Sequence, residues 1–281
     1  MSLAVNSLSL TLKITLQQRL DCTPLTPCKL ANLSHAEIAS IPLYYGKTQL
    51  RVDEAFELGF NLNPELVAEA GISSITFNQS HEKMDCVAAN MSAGEIIING
   101  NVGNQLGFKM SAGNITCHGN VGDFAACCMS DGLMTIHGNV GDFLGAALIG
   151  ERKGMRGGTV IIKGNAGDRV GDQMRRGLIL IEGNAGDYCC SRMIAGTIGV
   201  LGTLGKYTAY SMRRGTLLLK TLPALHATVQ DCGKHTLPYL SLLLKSFQRF
   251  DTPFSQITSQ RVQRFVGDLG ANGNGEILVF K

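Results

Sequence analysis

Seven times from Met91 onward the chain spells a version of Met-x-x-Gly-x-Ile-x-Ile-x-Gly-Asn-Ala-Gly-Asp. The units start at Met91, Met110, Met129, Met155, Met174, Met193 and Met212. Successive starts lie 19, 19, 26, 19, 19 and 19 residues apart, the 26 being one period with seven residues inserted. A unit of this size cannot bury its own apolar face, so each must stack on its neighbours.

With the period numbered 1 to 19, positions 6 and 8 are apolar in every unit: Ile96/Ile98, Ile115/Cys117, Met134/Ile136, Val160/Ile162, Ile179/Ile181, Ile198/Val200 and Leu217/Leu219. Two-residue spacing and β-branching predict a short strand with one buried face. Glycines at positions 4, 10 and 13 would each cost a helix about 1 kcal/mol. Gly100, Gly119, Gly138, Gly164 and Gly183 follow the strand, and each precedes an asparagine: Asn101, Asn120, Asn139, Asn165 or Asn184. Both residue types tolerate positive φ, which predicts tight corners. The expected fold is therefore mainly β: a right-handed parallel β-helix, or solenoid, of about seven 19-residue coils, roughly 4.8 Å apart. Small mixed α/β caps are expected at both ends. Hexapeptide acyltransferase coils of 18 residues do not match the period. Calcium-binding nonapeptide repeats belong to acidic chains, and this one has a net charge of +3.

The expected organisation is an N-terminal α+β cap over 1–71, repeats over 72–222 and a C-terminal cap over 223–281. The alternation from Leu8 to Leu16 predicts a strand in place of a signal peptide. Ser34 to Glu37 predicts a capping box opening a short helix. Strands are expected at Thr48–Val52 and 56–62, and a zeroth coil over 72–90. Beyond the repeats, Pro223 and Pro238 bracket a predicted loop, Tyr239–Phe250 a helix and Ile277–Phe280 the last strand. No window resembles a transmembrane helix. Nine cysteines, an odd number, with no export signal, point to the reducing cytoplasm.

Chemistry is sparse. Asn104, Asp123, Asp142, Asp168 and Asp187 stack at position 14, where like charges repel unless each carboxylate is hydrogen-bonded; turn capping is the expected role. His118 falls over His137 in an outward column without a third ligand. Neighbouring cysteines (Cys127–Cys128, Cys189–Cys190) should point to opposite sides of a strand and so share no metal. Phe124, Phe143, Tyr188 and Tyr207 recur at position 15, as core if they point inward and as a contact surface if outward. The most distinctive feature is basic. Positions 2 and 3 of the later units hold Arg156, Arg175, Arg176, Arg213 and Arg214, where the early units have Ser92, Ser111, Ser130 and Asp131. This stripe can pair with the aspartates, dock an acidic partner or guide an anionic ligand. With no Trp and a small net charge, nucleic acid fits poorly. No nucleophile elbow, phosphate loop or zinc motif is present.

The stretch from Gly150 to Gly177, continued through Gly186-Asp-Tyr, Ser191-Arg-Met-Ile-Ala-Gly-Thr-Ile and Met212-Arg-Arg-Gly-Thr-Leu, resembles the Gly-x-x-Gly-x-x-x-Gly repeat superfamily. That superfamily includes the C-terminal β-helix of glutamate synthase and the C-type subunit of formylmethanofuran dehydrogenase. The flanks, Leu33-Ser-His-Ala-Glu-Ile-Ala-Ser-Ile-Pro-Leu and Gly267-Asp-Leu-Gly-Ala-Asn-Gly-Asn-Gly-Glu-Ile-Leu, resemble the second. The resemblance implies a non-catalytic structural subunit in a hetero-oligomeric complex of one-carbon metabolism. That complex is either the dehydrogenase or the bacterial formyltransferase/hydrolase complex, which releases formate from a formylated methanofuran analogue. It implies no cofactor on this chain alone; metal ions, or a molybdenum or tungsten pterin with iron–sulfur clusters, would sit on other subunits. Partners would be those subunits, with neither nucleic acid nor membrane. The arginine stripe would then meet an acidic carrier or subunit. A low charged fraction of 17% with nine cysteines is unlike a thermophile and leans toward the bacterial complex. The alternative is a glutamate synthase-like domain linked to glutamine amidotransfer.

Overall fold

The computed structural model describes residues 6–61 and 71–280. The repeats form the centre of a 13-stranded sheet. The strands Glu95–Gly100, Asn114–Cys117, Leu133–Ile136, Arg156–Ile162, Arg176–Ile181, Thr197–Val200 and Arg214–Leu219 pair in parallel, each with the next. The register sets like positions opposite one another: Ile96 against Ile115, Ile179 against Ile198, Ile198 against Leu217. All fourteen residues at positions 6 and 8 are buried. A second, one-residue-wide parallel ladder runs through Val102, Val121, Val140, Ala166, Ala185 and Leu204. This is position 12, whose inward role the alternation at positions 6 and 8 does not reveal.

The parallel run is longer than the repeats. Ser7–Leu12 and Ser74–Ser80 extend it at one end, and Asn274–Phe280 at the other. Antiparallel strands finish both edges: Phe56–Asn61 beside Ser7–Leu12, and Gln230–Thr236 with Arg261–Val266 beyond Asn274–Phe280. The flanks therefore continue the sheet besides covering its ends, which puts an antiparallel strand at each edge. Several expected bounds move. The strand from Thr48 stops at Arg51, and a helical turn starts at Val52. The strand from Phe56 is described to Asn61, and Leu62 lies outside the described residues. The expected loop between Pro223 and Pro238 contains the strand Gln230–Thr236. The zeroth unit pairs Ile75 with Ile96, 21 residues apart, and a register shift between Asn78 and Ser80 takes up one of the two residues beyond the period. The capping box forms: Ser34 Oγ accepts from Glu37 N–H at 3.3 Å, and Glu37 Oε2 accepts from Ser34 N–H at 2.8 Å.

The corner glycines act differently from the expectation. Among the five at position 10, only Gly100 has a φ in the left-handed region. The other four are glycine because the stack leaves no room. A Cβ at Gly119 would lie 2.2 Å from Gly100 O, at Gly138 2.4 Å from Gly119 O, and at Gly164 2.5 Å from Gly138 O. Left-handed conformations fall instead at positions 15, 17 and 19, as in Phe124, Ala126 and Cys128, or Tyr188, Cys190 and Arg192. A non-glycine residue there costs about 1 kcal/mol or more. The alternation turns successive N–H groups to opposite neighbours: Phe124 N–H donates to Asp142 O of the following unit, and Ala126 N–H to Leu106 O of the preceding one, both at 2.8 Å. Two ladders of hydrogen bonds offset the backbone strain.

The recurring methionine closes the interior. All seven starting methionines are fully buried. Each of the first six sits against the position 4 glycine of a following unit; a Cβ at Gly113 would meet Met91 Cε at 2.6 Å. The flexible, polarizable side chain fits a gap that a branched residue would not fill.

Among the described residues, a second core covers the other face of the sheet over the later units. The helix Tyr239–Phe247 and the turn Pro253–Gln256 lie there, giving a core of Leu180, Leu218, Leu240, Leu244, Phe247, Phe254, Val262 and Leu278. The strands Arg176–Ile181 and Arg214–Leu219 accordingly end in three consecutive buried residues, whereas Asn114–Cys117 and Leu133–Ile136 alternate. No helix among the described residues is long and apolar enough to cross a membrane.

Candidate functional site

The polar columns are occupied by holding the stack. Asn101 Oδ1 accepts from Asn120 N–H, and Asn120 Oδ1 from Asn139 N–H, both at 2.8 Å; the series continues through Asn165 and Asn184 to Thr203. At position 14, Asp142 N–H donates to Asp123 Oδ1 at 2.8 Å and Asp168 N–H to Asp142 Oδ1 at 2.7 Å. Each aspartate thus bonds the backbone of the next unit, where turn chemistry alone had it capping its own turn. Oδ1 carries the bond, so the charge contributes mainly repulsion along the column. Asp142→Asn, which keeps the acceptor, should leave stability within about 0.5 kcal/mol, whereas Asp142→Ala, which orphans Asp168 N–H, should cost about 1–3 kcal/mol. Urea unfolding of both variants measures this. Equal losses would contradict the assigned role.

The remaining sequence candidates separate clearly. His118 and His137 are exposed and stacked, with ring centroids 4.9 Å apart. Among the described residues no three His, Cys, Asp or Glu side chains come together to hold a metal ion. Adjacent cysteines do not diverge as strand alternation requires: Cys189 Sγ and Cys190 Sγ are 3.9 Å apart, because Cys190 is left-handed with φ +62°. Burial pushes the Cys117 thiol up to about 11, which suits an unreactive core residue. The aromatic column points outward and is partly buried. Phe124 stacks on Phe143 and Tyr188 on Tyr207. Arg169, the position 15 residue of the intervening unit, fills the gap with its Cζ 5.9 Å from the Phe143 ring centroid and 4.5 Å from that of Tyr188. A guanidinium plane replaces an aromatic ring in the stack. Counting the period would have placed Arg169 there.

The arginine stripe is a surface feature. Arg156, Arg175, Arg176, Arg213 and Arg214 are all exposed, and the ladder sets Arg156 directly opposite Arg176. The unit starting at Met193 has Ile194 and Ala195 in these positions, so the stripe is interrupted once. Three adjoining cavities lie along it. One of about 560 Å³ is bounded by Glu151, Arg152, Lys153, Arg156, Arg175 and Arg176. The next, about 390 Å³, runs between Arg175, Arg176, Arg213 and Arg214. The third, about 760 Å³, includes Arg152, Arg192 and Arg213.

Among the described residues, carboxylates near these cavities are engaged; Asp268 beside the third accepts from Ser211 N–H at 2.8 Å and Gly270 N–H at 2.9 Å. Glu151 meets Lys109 at 3.2 Å and Arg156 at 3.5 Å. Asp172, 3% exposed, accepts from Arg192 Nε at 2.8 Å and Ser191 Oγ at 3.1 Å, and also pairs with the second guanidinium nitrogen of Arg192. None of the ion pairs among the described residues includes Arg152, Lys153, Arg175, Arg176, Arg213 or Arg214. Six cations held on one face without counter-charges create a positive potential suited to an anionic surface or ligand. The arrangement offers binding to an anion.

No family model matches the chain. Among curated proteins it is 28% identical over 103 residues to the C-type subunit of the tungsten-containing formylmethanofuran dehydrogenase 2 of Methanococcus maripaludis, covering 37% of this chain and 35% of that one. It is 37% identical over 98 residues to the C-type subunit of the formyltransferase/hydrolase complex Fhc of Methylorubrum extorquens, covering 35% and 34% respectively. These matches span about a third of each relative's length. A chain in the crystal structure of the formyltransferase/hydrolase complex FhcABCD from Methylorubrum extorquens, in complex with methylofuran, is similar throughout. There the identity is 36%, with a TM-score of 0.89 over 97% of this chain and 99% of the other.

Proposed function

Because the chain belongs to the family of C-type subunits of formylmethanofuran dehydrogenase, we propose that it is the structural, non-catalytic member of a hetero-oligomeric formyltransferase/hydrolase complex. Such a complex takes a formyl group on a methanofuran analogue and releases formate. The observation that carries this reading is the similarity over nearly the whole of both chains to a subunit of the FhcABCD assembly. The shorter match to a tungsten dehydrogenase keeps that relative's reaction class as the second reading. A non-catalytic role is supported by the use of the polar columns: asparagine and aspartate side chains, repeat after repeat, bind the neighbouring backbone.

On this reading the parallel ladder is one wall of a right-handed parallel β-helix in the 72–222 region, with 1–71 and 223–281 as its end pieces. Metal or redox cofactors of the complex, on the same reading, belong to other subunits. The arginine face made by Arg156, Arg175, Arg176, Arg213 and Arg214 is where an acidic carrier or subunit meets this chain, in the cytoplasm.

The test is a tagged purification from the source cells with mass spectrometry. Stoichiometric amidohydrolase-like and formyltransferase-like subunits are expected. Molybdopterin and iron–sulfur subunits would move the chain to the dehydrogenase, and a monomer alone would end the subunit reading. Charge reversal at Arg175 and Arg213 should weaken assembly or carrier use; no change in either would remove the role of the arginine face.

A further inference from the structure

The seven residues that interrupt the period form a loop with an unusual tip. Ile149 is 94% exposed, the most exposed of the large apolar side chains among the described residues. The loop beneath it is braced at both ends. Ala147 N–H donates to Asp172 O at 3.1 Å, Glu151 N–H to Leu148 O at 2.9 Å and Gly154 N–H to Gln173 O at 2.9 Å. Cys127 Sγ donates to Ala146 O at 2.8 Å, and Cys128 Sγ to Lys153 O at 3.5 Å. Glu151 is clamped between Lys109 and Arg156. The Ala147 bond is the ordinary bond between neighbouring units, made elsewhere as Lys109 N–H to Cys127 O, but stacking needs none of the others, because the other units close the same corner without an insertion. The bracing instead fixes an apolar side chain in solvent, as in a pre-organised contact residue whose ordering cost is met before binding.

The surroundings specify the counterpart. The cavity of about 560 Å³ beside the tip is bounded by Arg152, Lys153, Arg175 and Arg176, none of which enters an ion pair among the described residues. An apolar anchor ringed by charge is the layout of a protein interface with a central contact and a polar rim. Two copies of this face would oppose like charges, so self-association through it is disfavoured. A membrane surface would be met by one isoleucine on a tight loop, with no amphipathic helix to lie in the interface.

We infer that the loop 148–154 and the arginines beside it dock a partner subunit, whose surface presents an apolar pocket for Ile149 rimmed by aspartate and glutamate side chains. This rests on the subunit reading above and adds which face makes the contact. In operation, Ile149 supplies the buried anchor, while Arg152, Arg175 and Arg176 set orientation and speed of encounter.

The experiment uses the tagged chain purified with its partners from the source cells. It compares wild type, Ile149→Asp, Ile149→Leu and Arg175→Glu/Arg176→Glu, with a photo-crosslinker at position 149 in a parallel sample. Ile149→Asp should weaken assembly by ~30-fold, as expected for an anchor of about 2 kcal/mol, with its melting temperature unchanged because the site is exposed. Ile149→Leu should assemble. The crosslink should map to an acidic peptide of an identified subunit. Full assembly of Ile149→Asp overturns the inference. So does loss of assembly in the arginine variant alone, which would place the contact on the arginines with no apolar anchor at Ile149. A self-crosslink overturns it, as does binding to phosphatidylserine vesicles that depends on Ile149 while assembly does not. A wild-type chain that recovers no partner defeats the subunit reading itself, a result separable from failure of the variants alone.

Discussion

Gly119→Ala should remove about 4 kcal/mol or more of stability, or prevent folding altogether, although it adds a single methyl group at a corner. Its Cβ would sit 2.2 Å from Gly100 O, 2.3 Å from Gly100 C and 2.7 Å from Asn101 N. All three are backbone atoms, and none can retreat. Gly100 is paired into the parallel ladder, and Asn101 belongs to the asparagine column through Asn120 N–H. The unit above is equally constrained, since Gly138 N–H donates to Gly119 O at 3.2 Å. Losses above about 4 kcal/mol are exceptional for point substitutions and arise where strain has no outlet. Gly150→Ala separates this effect from backbone freedom. Gly150 has φ +91°, and a Cβ there meets nothing within 4 Å, so only the left-handed penalty of about 1 kcal/mol should appear. Thermal melts of the two variants provide the measurement. Similar losses would show that conformational freedom, and not close approach of the units, explains the corner glycines.

The second large effect lies on the opposite face. Phe254→Ala should cost about 3–5 kcal/mol locally and free the C-terminal covering while the repeats stay folded. Phe254 is fully buried. Its ring packs edge-on against Phe247 and lies so close to Gly199 that a Cβ there would meet Phe254 Cε1 at 2.6 Å. At Gly199 a late unit presents no side chain on this face, and the phenylalanine takes the vacant volume. The covering core of Leu180, Leu218, Leu240, Leu244 and their neighbours is a small cluster separate from the main interior. Its loss should therefore be a sub-global opening. Hydrogen exchange would register it as faster exchange across Tyr239–Phe247 with unchanged protection at Ile136 and Ile162. Loss of protection throughout would mean that the covering and the stack unfold as one cooperative unit.

The chain's periodicity made the strand and its inward pair legible, because a two-residue alternation repeated seven times admits one solution for positions 6 and 8. The continuation of the parallel run into Ser7–Leu12 and Asn274–Phe280 carries no such signal, since these strands join the ladder without belonging to the period. The cover over the later units is not distinct in the letters: Val160-Ile161-Ile162 and Leu217-Leu218-Leu219 are continuously apolar, as strands buried on both faces are, but so is Ile96-Ile97-Ile98, whose Ile97 is half-buried. The arginine face is visible at positions 2 and 3. Its separation from the aspartate column is not, because a count along the period fixes which residues stack and leaves open how far apart two columns lie.

The sequence by itself determined the strand, the stacking, the in-register columns and the glycines, all consequences of a fixed period in which every unit faces a copy of itself. Only the tertiary structure decided why the glycines are there: the neighbouring carbonyl forbids a side chain at position 10, while left-handed backbone is carried by phenylalanine, tyrosine, cysteine and arginine at positions 15, 17 and 19. It also decided which cations stand outside the ion pairs and that Ile149 stands clear of the surface. Those outcomes depend on distances between segments far apart in the chain, which composition and spacing do not encode.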